Sequence, residues 1–192
     1  NNQTTQMFVD AVLYHSSGTN TSVKVKNHSY GYTVPYVTTS LEENAVATST
    51  AAGTIHCYAA GNNRGGTGQD SNKMDIQNSP NSITVAALGS DGKYASYSCF
   101  GANVFVTAPS SSSTGSAFRI TTTDRVGTSG YNTQSDTFPD TSYTSTFGGT
   151  VRPICLAAFR LMMNSNFFGC STGSSAGLAP LSILSTYVAA RR

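Results

Sequence analysis

The strongest constraint on this chain is a run of about 37 residues in which two short apolar strand patterns bracket one helix. Val23-Lys24-Val25-Lys26-Asn27-His28-Ser29-Tyr30 alternates and begins with β-branched residues, the pattern of a strand. Thr39 or Ser40, followed three residues on by Glu42 or Glu43, forms a capping box that opens a helix over 41–52. Gly53 ends it, at the position where a left-handed residue closes a helix. Thr54-Ile55-His56-Cys57-Tyr58-Ala59 then reads as a buried strand. Strand, helix, strand in so short a span is a βαβ unit, which implies a parallel pair joined by a right-handed crossover.

Other elements extend that unit into an open α/β sheet. Residues 4–15 carry Phe8, Val9, Val12 and Leu13 at helical spacing. Ser82–Leu88 and Asn103–Ala108 read as further strands, the second ended by Pro109, and Tyr94–Ser98 as a short alternating one. Gly61–Pro80 is a long loop rich in Gly, Asn, Asp and Ser, a length at which loops commonly carry function. Residues 110–146 read as loop and short strand. In sheets of this kind ligands bind beyond the carboxyl ends of the strands.

Composition narrows the function. Charged residues make up 10% of the 192, against about 25% in an average soluble domain, and the balance is 27 Ser, 26 Thr, 14 Asn and 18 Gly. The net charge of +2 is scattered, which argues against a nucleic-acid groove. No apolar run approaches the roughly 18 residues that span a bilayer. The four cysteines (Cys57, Cys99, Cys155, Cys170) lack zinc-site spacing; one or two disulfides are open to an exported protein, with the pairing unassigned. A low-charge, Ser/Thr/Asn-rich chain without an initiator Met reads as a processed or partial product from an extracytoplasmic setting.

Tyr58-Ala59-Ala60-Gly61-Asn62 sits at the carboxyl end of the second βαβ strand. Small residues there admit another chain close to the backbone, and an Asn just beyond can aim its amide at a developing oxyanion. A plain strand end followed by an Asn-Asn turn accounts for the same letters. Ala59-Ala60-Gly61-Asn62 resembles the oxyanion-hole motif of the subtilisin-like serine proteases, and four more stretches follow in that family's order. Asn27-His28-Ser29-Tyr30-Gly31 resembles the strand that pairs with bound peptide. Asn81–Ala87 resembles the strand after the oxyanion loop, and Tyr97–Pro109 a Tyr-Ser…Gly…Val-x-Val-x-Ala-Pro block. Phe147-Gly148-Gly149-Thr150 resembles the lead-in to the nucleophile. Gln69-Asp70-Ser71-Asn72 and Ile120–Asp124 resemble the kexin and bacterial convertase branch.

The resemblance implies a doubly wound, mostly parallel, subtilisin-like sheet, here incomplete. Residues 1–150 would be part of a catalytic domain and 151–192 a divergent C-terminal tail. It assigns Asn62 to the oxyanion and Ser29, Tyr30, Gly31, Ala59, Ala60 and Gly61 to an extended peptide substrate. The family's Asp and His blocks are not found. Asp10 and His15 fall in a helical pattern, while His28 and His56 fall inside strands and read as packed or hydrogen-bonded. Val151 stands at the nucleophile position and has no proton to lose; a shifted reading frame is one account of the break there. Gly173–Pro180 has a nucleophile motif's letters at the wrong spacing. The expectation is a fragment of a serine endopeptidase that is inactive alone, the alternative a non-catalytic peptide-binding module. Gly31-Tyr32-Thr33-Val34-Pro35 carries no carboxylate to select a basic side chain, so that preference is not carried over. Asp70 and Asp75 are the candidates for a Ca²⁺ site, but two carboxylates at a spacing of five read first as a solvated loop.

Overall fold

A computed structural model of the chain describes residues 4–16, 18–37, 40–111, 119–134 and 138–147. Its centre is a four-stranded parallel sheet: β1 (Val25–His28), β2 (Ile55–Ala59), β3 (Ser82–Leu88) and β4 (Val104–Pro109), in that spatial order. The βαβ unit stands as the sequence implies. Val25 pairs with Ile55 and His28 with Tyr58, and helix α2 (Ser40–Ala51) makes the crossover between them.

Helix α1 (Thr5–Leu13) opens on Thr4, whose hydroxyl accepts from the Met7 N–H at 3.3 Å. Its carbonyl end meets the Lys26 ammonium, which donates to the carbonyls of Ala11, Val12 and Tyr14 at 2.9, 2.7 and 2.7 Å. A cation there satisfies orphan carbonyls and faces the negative end of the helix dipole. Helix α2 buries Glu42, Ala45, Val46 and Ser49, one face at i, i+3, i+4 and i+7.

Ala45 and Val46 of that face, Val12 of α1 and Tyr58 and Ile76 form one apolar cluster. Alternation along the strands turns Cys57 and Val85 the other way, where they pack with Ala108 and with Val25, Ile55, Ile83 and Val106. Ala60, Ala86 and Cys99 form a third cluster.

The long loop after β2 is ordered by polar side chains rather than by a ladder. A short 3₁₀ turn, Ser71–Lys73, is capped by Asp70. The Asn103 amide donates to the carbonyls of Ser71 at 3.1 Å and Gln77 at 2.8 Å, and its oxygen accepts from the Ser71 hydroxyl at 2.7 Å. Met74 and Ile76 are buried beneath it.

Two sequence expectations need correction. Tyr94–Ser98 is not a strand: it makes one antiparallel bridge, Tyr94 to Leu88, and then turns. The Ser98 hydroxyl accepts from the Ala87 N–H at 3.0 Å, and the Ala95 N–H donates to the Ala87 carbonyl at 2.9 Å. Residues 110–146, read as loop and short strand within one open sheet, instead contribute to a separate antiparallel pair, β5 (Ile120–Thr123) with β6 (Tyr143–Phe147). Residues 148–192, with Val151, Cys155, Cys170 and Gly173–Pro180, lie outside the described residues.

Gly53 closes α2 with φ +91°, its N–H donating to Thr50 at 2.9 Å while the Thr54 N–H reaches Ser49 at 3.1 Å. This pair of bonds is a Schellman motif. A Cβ at Gly53 meets nothing within 4 Å, so only the backbone conformation opposes it. Gly53→Ala is expected to cost about 1–2 kcal/mol in urea unfolding, from left-handed strain alone. An unchanged midpoint would contradict this helix end.

Candidate functional site

Parallel pairing places the carboxyl ends of β1 and β2 side by side. Ser29-Tyr30-Gly31 leaves β1, at one edge of the described sheet, and Ala60-Gly61-Asn62 leaves β2. A cavity of about 280 Å³ opens between these segments. All seven residues that the sequence singled out line it: Ser29, Tyr30, Gly31, Ala59, Ala60, Gly61 and Asn62. Asn62 is exposed at its rim, whereas Ala59 and Ala60 are buried.

The turn that presents Asn62 depends on Gly61. Its φ is +112°, and a Cβ would stand 3.0 Å from the Cys99 sulfur. The Cys99 N–H donates to the Gly61 carbonyl at 2.9 Å, and the Asn63 N–H reaches Cys99 Sγ at 3.2 Å. The Asn63 amide donates to the Thr33 carbonyl at 3.1 Å, tying the two walls together. Next to it, Arg64 Nε donates to the Ser98 carbonyl at 2.6 Å, and its guanidinium lies over Phe100 (5.3 Å) and Tyr94 (5.8 Å). Ala59–Asn62 and Tyr97–Phe100, far apart in sequence, therefore form one brace. Burial pushes the Cys99 thiol pKa up, which keeps it an uncharged wall residue at neutral pH.

Sequence reasoning missed several lining residues, chiefly Gln77 and Cys99. Gln77 is buried; its amide donates to the Ala59 carbonyl at 3.4 Å and sits beneath Gly31, where a Cβ would strike it. Cys99 lies within a matched motif and was within reach of inspection. Gln77 carries no local signal. No charged side chain lines the cavity.

Of the other candidates, Asp10, His28 and His56 fall in the elements the sequence placed them in, whereas His15 lies past the end of α1 rather than within it. Asp10 is exposed on α1 and accepts from the Gln6 amide at 2.8 Å. His15 follows that helix, stacked on Tyr14 at 4.1 Å and 3.2 Å from the Ser22 hydroxyl. His28 and His56 are buried and hydrogen-bonded to one another at 2.8 Å. Cys57 and Cys99 occupy separate buried clusters. One Asp70 oxygen accepts from the Asn72 N–H and amide at 3.1 and 2.9 Å, and the other faces the Lys73 ammonium at 3.9 Å. Among the described residues no three His, Cys, Asp or Glu converge as metal ligands would, and no helix is long and apolar enough to cross a membrane.

The described chain is thus an open parallel α/β sheet with a neutral cleft at the carboxyl ends of its strands, edged by β1 and closed by a Gly-Asn turn. The subtilase family model matches residues 1–150, and the chain belongs to that family of serine proteases. A comparison with curated proteins finds no match. Among solved structures, a serine protease of Aeromonas sobria, crystallised with its chaperone, superposes with TM-score 0.69 at 22% identity, covering 86% of this chain and 34% of that one. A cold-adapted subtilisin-like serine proteinase gives 0.55 at 21%, covering 85% and 50%. A protease from Pseudoalteromonas arctica gives 0.53 at 24%, covering 76% and 42%. The chain thus spans between a third and a half of the length of these proteins, and at such identities they speak for the fold.

The histidine pair makes stability depend on pH. Burial, then the neighbouring His56 and the Lys26 charge, lower the His28 pKa to about 3; burial and Lys26 lower that of His56 to about 4. An unfolded His takes its proton near pH 6.5. Between there and pH 4 the unfolded chain therefore binds more protons than the folded one. The pair's contribution is complete above pH 6.5 and is lost as pH falls. Urea midpoints measured from pH 8 to 4.5 are expected to drop below 6.5. His28→Gln is expected to reduce the pH slope of the unfolding free energy from those curves by up to about 1.4 kcal/mol per pH unit, the value of one proton. Parallel curves for the two proteins would show that His28 does not titrate in this way.

Proposed function

We propose that this chain supplies the peptide-binding edge and the oxyanion donor of a subtilase endopeptidase site. The carrying observation is the convergence of Ser29–Gly31 and Ala59–Asn62 on one cavity. An extended peptide adds alongside Ser29-Tyr30-Gly31 as a further strand, held by main-chain hydrogen bonds. Its scissile carbonyl then faces Asn62, whose amide N–H groups donate to the oxygen as it gains charge. A donor that bonds the oxyanion better than the ground-state carbonyl lowers the barrier selectively. The neutral walls, with Gln77 and Cys99 among them, favour an uncharged substrate side chain over a basic one.

Hydrolysis needs Asp, His and Ser in one constellation. We assign the Asp and His to chain beyond this piece, which forms part of a larger catalytic domain, and read the nucleophile's serine as replaced within it, so that this chain alone is inactive. Residues 1–150 belong to that domain and 151–192 are a divergent tail, with Val151 in the nucleophile's place. The low charge and the Ser/Thr-rich composition support an extracytoplasmic setting.

The test uses a tetrapeptide amide and its phosphonamidate analogue, a stable tetrahedral anion, with the 192-residue protein. The wild type is expected to bind the anion more tightly, and Asn62→Ala to lose about ten- to a hundredfold of that preference while binding the amide unchanged. Equal binding of both by the wild type would favour the non-catalytic module. A fluorophosphonate probe is expected to label no serine of the chain; a labelled serine would overturn the account of Val151.

A further inference from the structure

One buried row of polar groups has no part in that chemistry, yet it ends at the cleft. The Tyr30 phenol lies 2.9 Å from His28 Nδ1, and His28 Nε2 lies 2.8 Å from His56 Nδ1. His56 Nε2 is 2.8 Å from Ser49 Oγ, Ser49 Oγ 2.8 Å from Ser16 Oγ, and Ser16 Oγ 2.8 Å from the Val12 carbonyl. The row crosses from the cleft, past β1 and β2, through α2 to the end of α1.

Its direction follows from the last acceptor. A carbonyl oxygen cannot donate, so the Ser16 hydroxyl gives it a proton. Ser16 then accepts from Ser49. With its single proton used, Ser49 accepts from His56 Nε2–H. A neutral imidazole protonated at Nε2 presents Nδ1 as an acceptor, so His28 donates Nε2–H to it. That leaves His28 Nδ1 to accept from the Tyr30 phenol. Both rings carry their proton on Nε2 and both are neutral. The Lys26 ammonium from β1 is the charge acting on the pair, while Glu42 of α2 acts on the Tyr30 and Tyr58 phenols.

The end of the row coincides with a place where the sheet no longer holds the chain. The β1–β2 ladder stops at His28 opposite Tyr58, two residues before Tyr30. Beyond it, Tyr30 is gripped by side chains: Phe8 at 5.0 Å, Tyr58 edge-on at 6.1 Å, and His28, which stacks on Tyr58 at 4.1 Å. We infer that His28 is a positioning residue for the peptide-binding edge: by accepting the Tyr30 phenol in a one-way hydrogen-bond relay anchored on the Val12 carbonyl, it holds Ser29-Tyr30-Gly31 in the line that a peptide must match. This role rests on Ser29–Gly31 being the peptide strand. The relay itself does not.

Two readouts separate those claims. Long-range ¹H–¹⁵N spectra of the 192-residue protein at pH 7 are expected to show the Nε2–H tautomer for both His28 and His56, and Tyr30→Phe to shift His28 Nδ1 toward an unbonded value. Fluorescence anisotropy with fluorescein-labelled Ala-Ala-Ala-Phe amide reads the edge. Tyr30→Phe and His28→Leu are expected to weaken binding about fivefold, the loss of one hydrogen bond. His28→Gln, which keeps an acceptor for Tyr30 and a donor for His56, is expected to bind within twofold of wild type. An Nδ1–H tautomer at either ring overturns the relay and leaves the peptide groove standing. Correct tautomers with unchanged affinity in Tyr30→Phe and His28→Leu overturn the positioning role. Correct tautomers with no peptide bound by the wild type overturn the groove, and the positioning role with it.

Discussion

The parallel register of β1 against β2 is the constraint on which the site depends. With Val25 opposite Ile55 and His28 opposite Tyr58, both strands end at the same edge of the sheet. The next residues of each, Ser29–Gly31 and Ala60–Asn62, have no choice but to be neighbours. A slip of one residue would turn every side chain of β1 to the opposite face. It would carry His28 away from His56 and Tyr30 away from the cleft together. The site is therefore fixed by backbone pairing first, and only then refined by Gly61, Cys99 and Asn63.

Uncharged polar residues do much of the remaining fixing. With so few charges, the described part of the chain has a single ion pair, Asp70 with Lys73, at a partly exposed position where such pairs contribute little. Order in the loop after β2 comes instead from Ser71, Asn72 and Asn103, whose side chains bond backbone that no strand satisfies. Their cost is geometric: each bond demands one rotamer and one partner, and a buried donor left without one is expensive. This accounts for a core that holds Ser16, Ser49, Thr54, Thr84, Ser98 and Asn132 beside Val and Ala.

Legibility followed the range of the interactions. Helix α2 and its Gly53 end were readable because capping and left-handed closure are decided within a few residues. The seven cleft residues were readable because their motifs lie in strand ends, whose place follows from the sheet. Tyr94–Ser98 misled because alternation describes one face of a segment but does not supply a partner; its backbone is used by Ala87 after a single bridge. Gln77 was invisible for a related reason. It reaches the cleft only because Asn103 and Thr84 hold its carbonyl and Gly31 leaves room for its amide, three contacts with no expression in nearby sequence.

His28 and His56 show the limit most clearly. As letters they were two histidines in strands, with packing the natural account. Their spacing of 28 residues says nothing of contact, but the register puts His28 beside Tyr58 and leaves His56 two residues along β2, on the same side of the sheet as α2. There the pair meets Ser49 rather than a carboxylate. An imidazole beside Asp or Glu would gain a proton readily and become a charge to be compensated. Beside serines and a fellow imidazole it stays neutral, and its two nitrogens can then differ, one donating and one accepting. Neutrality is what gives the row a direction, and burial is what maintains neutrality.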